Sequence, residues 1–366
     1  MVRQEWHGKY HRGNRMTIFY HTKKALLSAA GFLLVLLLTG CAGGNANVQS
    51  AMEMIQALDY QGALTQLEEA QARQENQRLI DRGRGIAYMG LTDYTQAISC
   101  FQSALAGSSG LVEPIDFDLN YYLAAAYTKN GQYQEAKNTY DAILALRPQE
   151  GDACFLRGSV LLNLGDFEGA KADFDKAVSL APQNYDRLIE IFKTLEHFGY
   201  EEEGRTYLQN ALDTGGSSMG QYDTGRIYYY LGEYQQAYMA LEEAKQAGGA
   251  ESYLYLGKAY EATGDYNYAS SVYNSYISQD PTNAEMYNQL GLCEMAKGEY
   301  QNALAAFQAG LQIEGNEFVQ ALSFNEIVAY EYLGEYQQAA VLLEKYLQTY
   351  PDDTAAMREQ QFLSTR

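Results

Sequence analysis

A six-residue pattern recurs through this chain at a spacing near 34 residues: Gly, any residue, an aromatic, two more residues, then Ala. It reads GQYQEA from 131, GDFEGA from 165, GEYQQA from 232, GDYNYA from 264, GEYQNA from 298 and GEYQQA from 334. Its last, small residue can be followed further, through Ala63, Ala97, Ala136, Ala170, Gly204, Ala237, Ala269, Ala303 and Ala339, with steps of 32 to 39 residues. A bulky residue stands four positions beyond each one: Leu67, Phe101, Tyr140, Phe174, Leu208, Leu241, Tyr273, Phe307 and Leu343. Pro148, Pro182, Pro281 and Pro351 each fall twelve beyond. Such self-similarity means stacked units, none of which buries its apolar face alone.

The unit Ala250 to Asn283 shows the internal pattern. Helical periodicity runs from about Glu251 to Ala262, Gly264-Asp265 makes a turn, and a second helix runs from Tyr266 to about Ser278 before Pro281 stops it. With 5 prolines in 366 residues, little interrupts helix elsewhere, and most of the 33 tyrosines are explained as repeated packing residues.

The pattern resembles the tetratricopeptide repeat, a helix–turn–helix of 34 residues. Leu256-Gly257 with Tyr260, and Leu290-Gly291, stand where that family has its Leu-Gly and Tyr; Gly85, Gly158 and Gly225 repeat the Gly, and Tyr88, Tyr127, Tyr228 and Tyr330 the Tyr. The resemblance implies an all-α, right-handed α-solenoid of about nine repeats over residues 44–353. The first unit departs from the family in a weak first helix. The fifth departs with Gly204 for Ala and Glu201 for the aromatic. Residues 107–116, with Gly-Ser-Ser-Gly and Pro114, form an insertion, and 354–366 reads as a C-terminal capping helix or tail.

The N-terminal region is of another kind. A basic stretch, His21 to Lys24, precedes an apolar run from Ala25 to Leu38, which is too short to span a bilayer but fits a signal-peptide core. Leu38-Thr39-Gly40-Cys41 resembles the lipobox of bacterial lipoproteins. That resemblance implies cleavage after a signal peptide of residues 1–40, lipidation of Cys41 (palmitate among the chains) and an anchor on the extracytoplasmic face of a bacterial cell membrane. Residues 1–15 precede a second methionine, Met16, and read as an upstream start. Residues 41–48 then comprise the lipidated Cys and a short Gly/Asn linker.

Residues 1–40 hold six basic residues and one acidic, which leaves 20 basic against 45 acidic and a net charge of −25 for the rest. A surface this acidic repels nucleic acid and anionic headgroups, so attachment to a membrane falls to the lipid. After residue 40 the only histidine is His197, expected on the surface. No metal site built on several His, no phosphate loop and no catalytic triad is in view, so neither a cofactor nor an enzyme activity is expected. Cys100, Cys154 and Cys293 lie in non-adjacent units and are expected as buried free thiols.

The resemblance also implies a concave groove, lined by the first helices of successive units, that takes an extended peptide or a partner helix. The residue after the Leu-Gly position is Lys193, Arg226 and Lys258 in three consecutive units. A basic ladder walled by Tyr222, Tyr229 and Tyr230 suits acidic or carboxylate groups, with Arg226 central and solvent-facing. Glu196, Asp223 and Glu261 stand three residues from these cations, the spacing of ordinary intrahelical pairs. The Lys, Asn and Arg set of the family's best-known peptide clamp is incomplete, because Asn is missing. The favoured function is a membrane-anchored scaffold for protein or peptide partners. The alternative is an accessory subunit of an envelope, pilus or secretion assembly. Replacing Cys41 by Ala is expected to release the chain from membranes or leave its precursor uncleaved. Membrane fractionation with mass spectrometry of the N-terminus checks this, and a soluble wild type cleaved elsewhere would refute it.

Overall fold

The computed structural model describes residues 44–351 and 353–365. Among these the chain forms nineteen α-helices and no strand. They are α1 (Ala46–Gln56), α2 (Tyr60–Ala72), α3 (Gln77–Gly90), α4 (Tyr94–Ala106), α5 (Pro114–Lys129), α6 (Tyr133–Leu146), α7 (Gly151–Asn163) and α8 (Phe167–Leu180). Next come α9 (Tyr185–His197), α10 (Glu201–Gly215), a 3₁₀ turn (Gly216–Ser218), α11 (Gln221–Tyr230), α12 (Tyr234–Lys245), α13 (Ala250–Ala262) and α14 (Tyr266–Ile277). The last are α15 (Ala284–Lys297), α16 (Tyr300–Leu311), α17 (Val319–Leu333), α18 (Tyr336–Thr349) and α19 (Thr354–Leu363). Nine helix pairs and one further helix result, an all-helical chain of repeated pairs. The chain divides into two units of contact at Asp173/Phe174, inside α8.

Each motif residue has a physical task. The motif glycines at 131, 165, 232, 264, 298 and 334 all adopt φ of 74–80°, the left-handed conformation that ends one helix and turns into the next. In the first two units that place is taken by Leu58 (φ 62°) and Thr92 (φ 61°), where a side chain pays for the same turn. Asp59, Asp93 and Asp166 cap the second helices, each accepting from a backbone N–H three residues on. The motif alanines have no exposed surface, so nothing larger fits between the paired helices.

A tight joint lies between the Gly of a first helix and the bulky residue sixteen positions later. Phe101 packs onto Gly85, Leu241 onto Gly225, Tyr273 onto Gly257 and Phe307 onto Gly291. All four bulky side chains are fully buried, and a Cβ on any of these glycines would run into the side chain that fills the hollow. Gly204 of the atypical fifth unit obeys a related constraint. An added Cβ there would press against both the ring and the backbone of Phe192, at 3.1–3.2 Å.

Two boundary expectations and one of burial are corrected. Residues 46–48, read as linker, already belong to α1. The Glu75 carboxylate accepts from Asn47 N (3.1 Å) and Val48 N (3.0 Å), and Val48, Ala51 and Ile55 are buried, which gives the weak first helix its anchorage. The irregular insertion between the second and third pairs ends before Pro114, the first residue of α5. There Glu113 and Asp116 form a reciprocal capping box. Cys100 is half-buried, at the edge of the stripe Ala97–Phe101–Ala104 of α4, whereas Cys154 and Cys293 are buried; none of the three forms a disulfide. Burial pushes the thiols of Cys100 and Cys293 up to about 11. Residues 1–43, with the expected signal peptide and Cys41, lie outside the described residues. Among the described residues no helix is long and apolar enough to cross a membrane.

Filling a glycine socket is expected to overpack it. Gly257→Ala should lower stability by about 1–3 kcal/mol despite the better helix propensity of Ala, because the Tyr273 ring is enclosed and has nowhere to move. Chemical denaturation checks this; an unchanged or raised midpoint would show that the joint is loose.

Candidate functional site

The three cations of the shared repeat position lie on neighbouring first helices α9, α11 and α13. Along α9, Asp186, Glu190 and Lys193 follow one another at helical spacing, as do Tyr222, Arg226, Tyr229 and Tyr230 along α11 and Glu251, Tyr255 and Lys258 along α13. Each set therefore occupies one helix face.

The aromatic part is a continuous cluster. The ring centroids of Tyr222, Tyr229 and Tyr230 lie 6.1, 5.7 and 6.0 Å from that of Tyr255, and Tyr229 and Tyr230 are 5.2 Å apart, mostly edge to face. The hydroxyls of Tyr230 and Tyr255 are hydrogen-bonded at 3.1 Å. Burial raises all four phenols well above their ordinary range, so they are neutral donors at physiological pH. Tyr255 is the centre of the cluster, and the sequence reading missed it. It carries no repeat signature; its only signal is its place one turn before Lys258.

The three cations meet different fates. Arg226 is not solvent-facing as expected: it is 8% exposed. Its guanidinium lies 4.4 Å over the Tyr222 ring and donates to Asp186 Oδ1 and Asp223 Oδ1, both at 2.6 Å, while its Nε is buried without a partner. The planar fork of Arg can reach a carboxylate on its own helix and another on α9 together, so the residue becomes a strut between two units. Lys193 and Lys258 have no such partners. Among the described residues neither makes a hydrogen bond or an ion pair, and the expected pairs with Glu196 and Glu261 do not close. Instead the Lys193 ammonium lies 4.8 Å over the Tyr230 ring and that of Lys258 lies 5.6 Å over the Tyr255 ring. The result is two ammonium groups without a direct ion pair, each over one of two tyrosines that are hydrogen-bonded to each other.

Burial raises the proton affinity of the carboxyls nearby. Burial raises Glu190 despite Arg187, and raises Glu196 with help from Glu201. Burial brings Glu261 to about 7, against the pull of its hydrogen bond from Tyr273 (2.7 Å) and of Lys258. Lys258 itself is lowered by burial, with Glu285 and Glu261 opposing. Protonated Glu261 thus favours the fold, a contribution present below the ordinary carboxylate range and lost as pH rises through about 7.

The first unit of contact offers a contrast. Arg78 is tied to Glu113 and Asp116, Arg82 to Asp118, and Arg157 to Asp141 and Asp173. Those cations are spent on structure. His197 is exposed at the end of α9, and no cluster of three or more metal-ligating side chains occurs among the described residues.

Helix pairs joined by left-handed Gly turns, with a first-helix Gly receiving a second-helix ring, define a helical-repeat protein. Tetratricopeptide-repeat profiles match residues 88–153, 123–189, 222–284, 254–316 and 321–353. The chain belongs to the tetratricopeptide-repeat family. Similar solved structures include a tetratricopeptide-repeat protein from Parabacteroides merdae (15% identity, 79% of this chain and 99% of that one, TM-score 0.45). Others are MamA, from residue 41, of Desulfovibrio magneticus (20% identity, 47% and 94%, TM-score 0.40) and a thermophilic repeat protein of Thermus thermophilus (18% identity, 59% and 100%, TM-score 0.37). No curated protein matches the chain.

Arg226→Glu is expected to cost about 3–5 kcal/mol, since it buries a carboxylate beside Asp186 and Asp223 and removes the cation that held them. A denaturation midpoint equal to wild type would show that the strut carries no load.

Proposed function

We propose that this protein is a non-catalytic interaction scaffold whose α9–α11–α13 face binds acidic stretches of protein or peptide partners, and that a lipid at Cys41 holds it on the extracytoplasmic face of a bacterial membrane. The observation that carries the binding site is the pair Lys193 and Lys258, which lie over tyrosine rings without an internal hydrogen bond or ion pair in a chain of net charge −20. A cation left unpaired beside an aromatic surface is available to an external anion, while the acidic surface elsewhere repels one. The tyrosine cluster supplies apolar area and hydroxyl donors at small entropy cost, as aromatic anchors do at interfaces. Family membership supports the scaffold role. The lipobox-like Leu38-Thr39-Gly40-Cys41 supports the anchor.

The test is selection of decapeptides from a random display library. Wild type is expected to enrich acidic sequences, and Lys193→Glu/Lys258→Glu to bind the enriched peptides at least tenfold more weakly, a loss of about 1.4 kcal/mol or more. Glu202→Lys, at an exposed position in the first turn of α10, is the control and should bind as wild type does. Enrichment without acidic bias, or equal binding by all three proteins, would remove the groove from the function.

A further inference from the structure

Glu261 is a carboxyl placed where a site for anions would best do without one. It stands three residues beyond Lys258 on the same helix, half-buried, and accepts the hydrogen bond of the fully buried Tyr273 on α14. The groups that face it can be named helix by helix. On α13 it is Lys258; on α14, Tyr273; on α15, Cys293; on α11, Tyr229. The last three stay neutral, since burial raises each of them. Lys258 is therefore the one fixed charge among these neighbours, and Lys258 in turn feels Glu285 on α15, Glu251 on α13 and Lys193 on α9.

We propose that Glu261 determines which ligands the groove accepts: seating an acidic group on Lys258 drives a proton onto Glu261, so an anionic partner is bound together with a proton. This rests on the reading of the groove given under the proposed function. The physical argument has three steps. An anion on Lys258 compensates the ammonium that favours ionised Glu261. It also covers the carboxyl, which adds desolvation, and it places a like charge next to Glu261. All three act against the carboxylate, and its proton affinity is already balanced near neutral pH, burial having brought it to about 7. The balance is simple: one proton passes from solvent to a Glu261 oxygen, Tyr273 can keep its hydrogen bond to the other, and the net charge of the seat rises by one as the anion arrives. By linkage the proton and the acidic ligand assist each other equally, so affinity for an acidic ligand rises as pH falls through about 7, and affinity for a basic one falls.

The experiment uses the full chain and two fluorescein-labelled decapeptides with free C-termini, one alternating Leu and Asp, the other Leu and Lys. Dissociation constants are measured at about pH 6 and pH 8 at one ionic strength, and proton uptake by calorimetry in two buffers of different ionisation enthalpy. The acidic peptide is expected to bind several-fold more tightly at the lower pH, with at most one decade gained per pH unit for a single linked proton. It should also take up a fraction of a proton near pH 7. In Glu261→Gln, which keeps an acceptor for Tyr273, the pH dependence and the proton uptake should both vanish while circular dichroism is unchanged. Lys258→Glu should lose the acidic peptide at both pH values. If wild type binds the acidic peptide equally at both pH values while Lys258→Glu loses it, the groove stands and the role of Glu261 falls. Persistence of the pH dependence in Glu261→Gln overturns the proposal in the same way. No binding of the acidic peptide by wild type at either pH would overturn the groove reading and this inference with it.

Discussion

The fold depends on a hollow. At Gly85, Gly225, Gly257 and Gly291 of the first helices, a ring or branched side chain from the second helix fills the space of the missing Cβ, and the two backbones close to the distance that this insertion permits. Dispersion is the energy involved, small per atom and large over an enclosed ring. Repetition of the joint sets how each pair presents its first helix to the next. That is why residues at one repeat position, Lys193, Arg226 and Lys258, end on adjacent helices. A functional surface of this kind is read along the stack and not along any one helix.

Within that register, chemistry is decided by what the neighbouring unit supplies. Arg226 and the two lysines occupy the same place, but Arg226 has a carboxylate on its own helix and another reaching from α9, and its fork satisfies both. The lysines meet aromatic faces instead. A guanidinium held by two carboxylates stabilises the stack, whereas an ammonium over a phenol ring keeps its charge available. The local potential is further shaped by Glu190, Glu196 and Glu261, whose proton affinity burial raises.

The atypical units show how much variation the repeat tolerates. Leu58 and Thr92 occupy turns that elsewhere use Gly, and the strain is tolerated because Asp59 and Asp93 cap the next helix immediately after. In the fifth unit Gly204 stands in place of Ala, where a Cβ would press on the ring and backbone of Phe192. Glu201, Glu202 and Glu203 in place of the aromatic put three carboxylates in the first turn of α10, where the helix dipole favours them.

The spacing of Gly, aromatic, Ala and Pro determined by itself that the described chain is built of repeated helix pairs, and where the turns that carry the motif fall. Those features are local or nearest-neighbour, and a one-dimensional pattern can encode them. It also aligned the three cations. Which of them is free was decided only by the tertiary structure, because the deciding partner, Asp186, comes from the preceding unit and carries no repeat signature. The same holds for Tyr255, whose centrality arises from rings of another helix, for residues 46–48, made helical by Glu75 of a later turn, and for Glu261. A carboxylate's proton affinity depends on how much water and which charges surround it, and those are properties of packing that residue order along the chain does not specify.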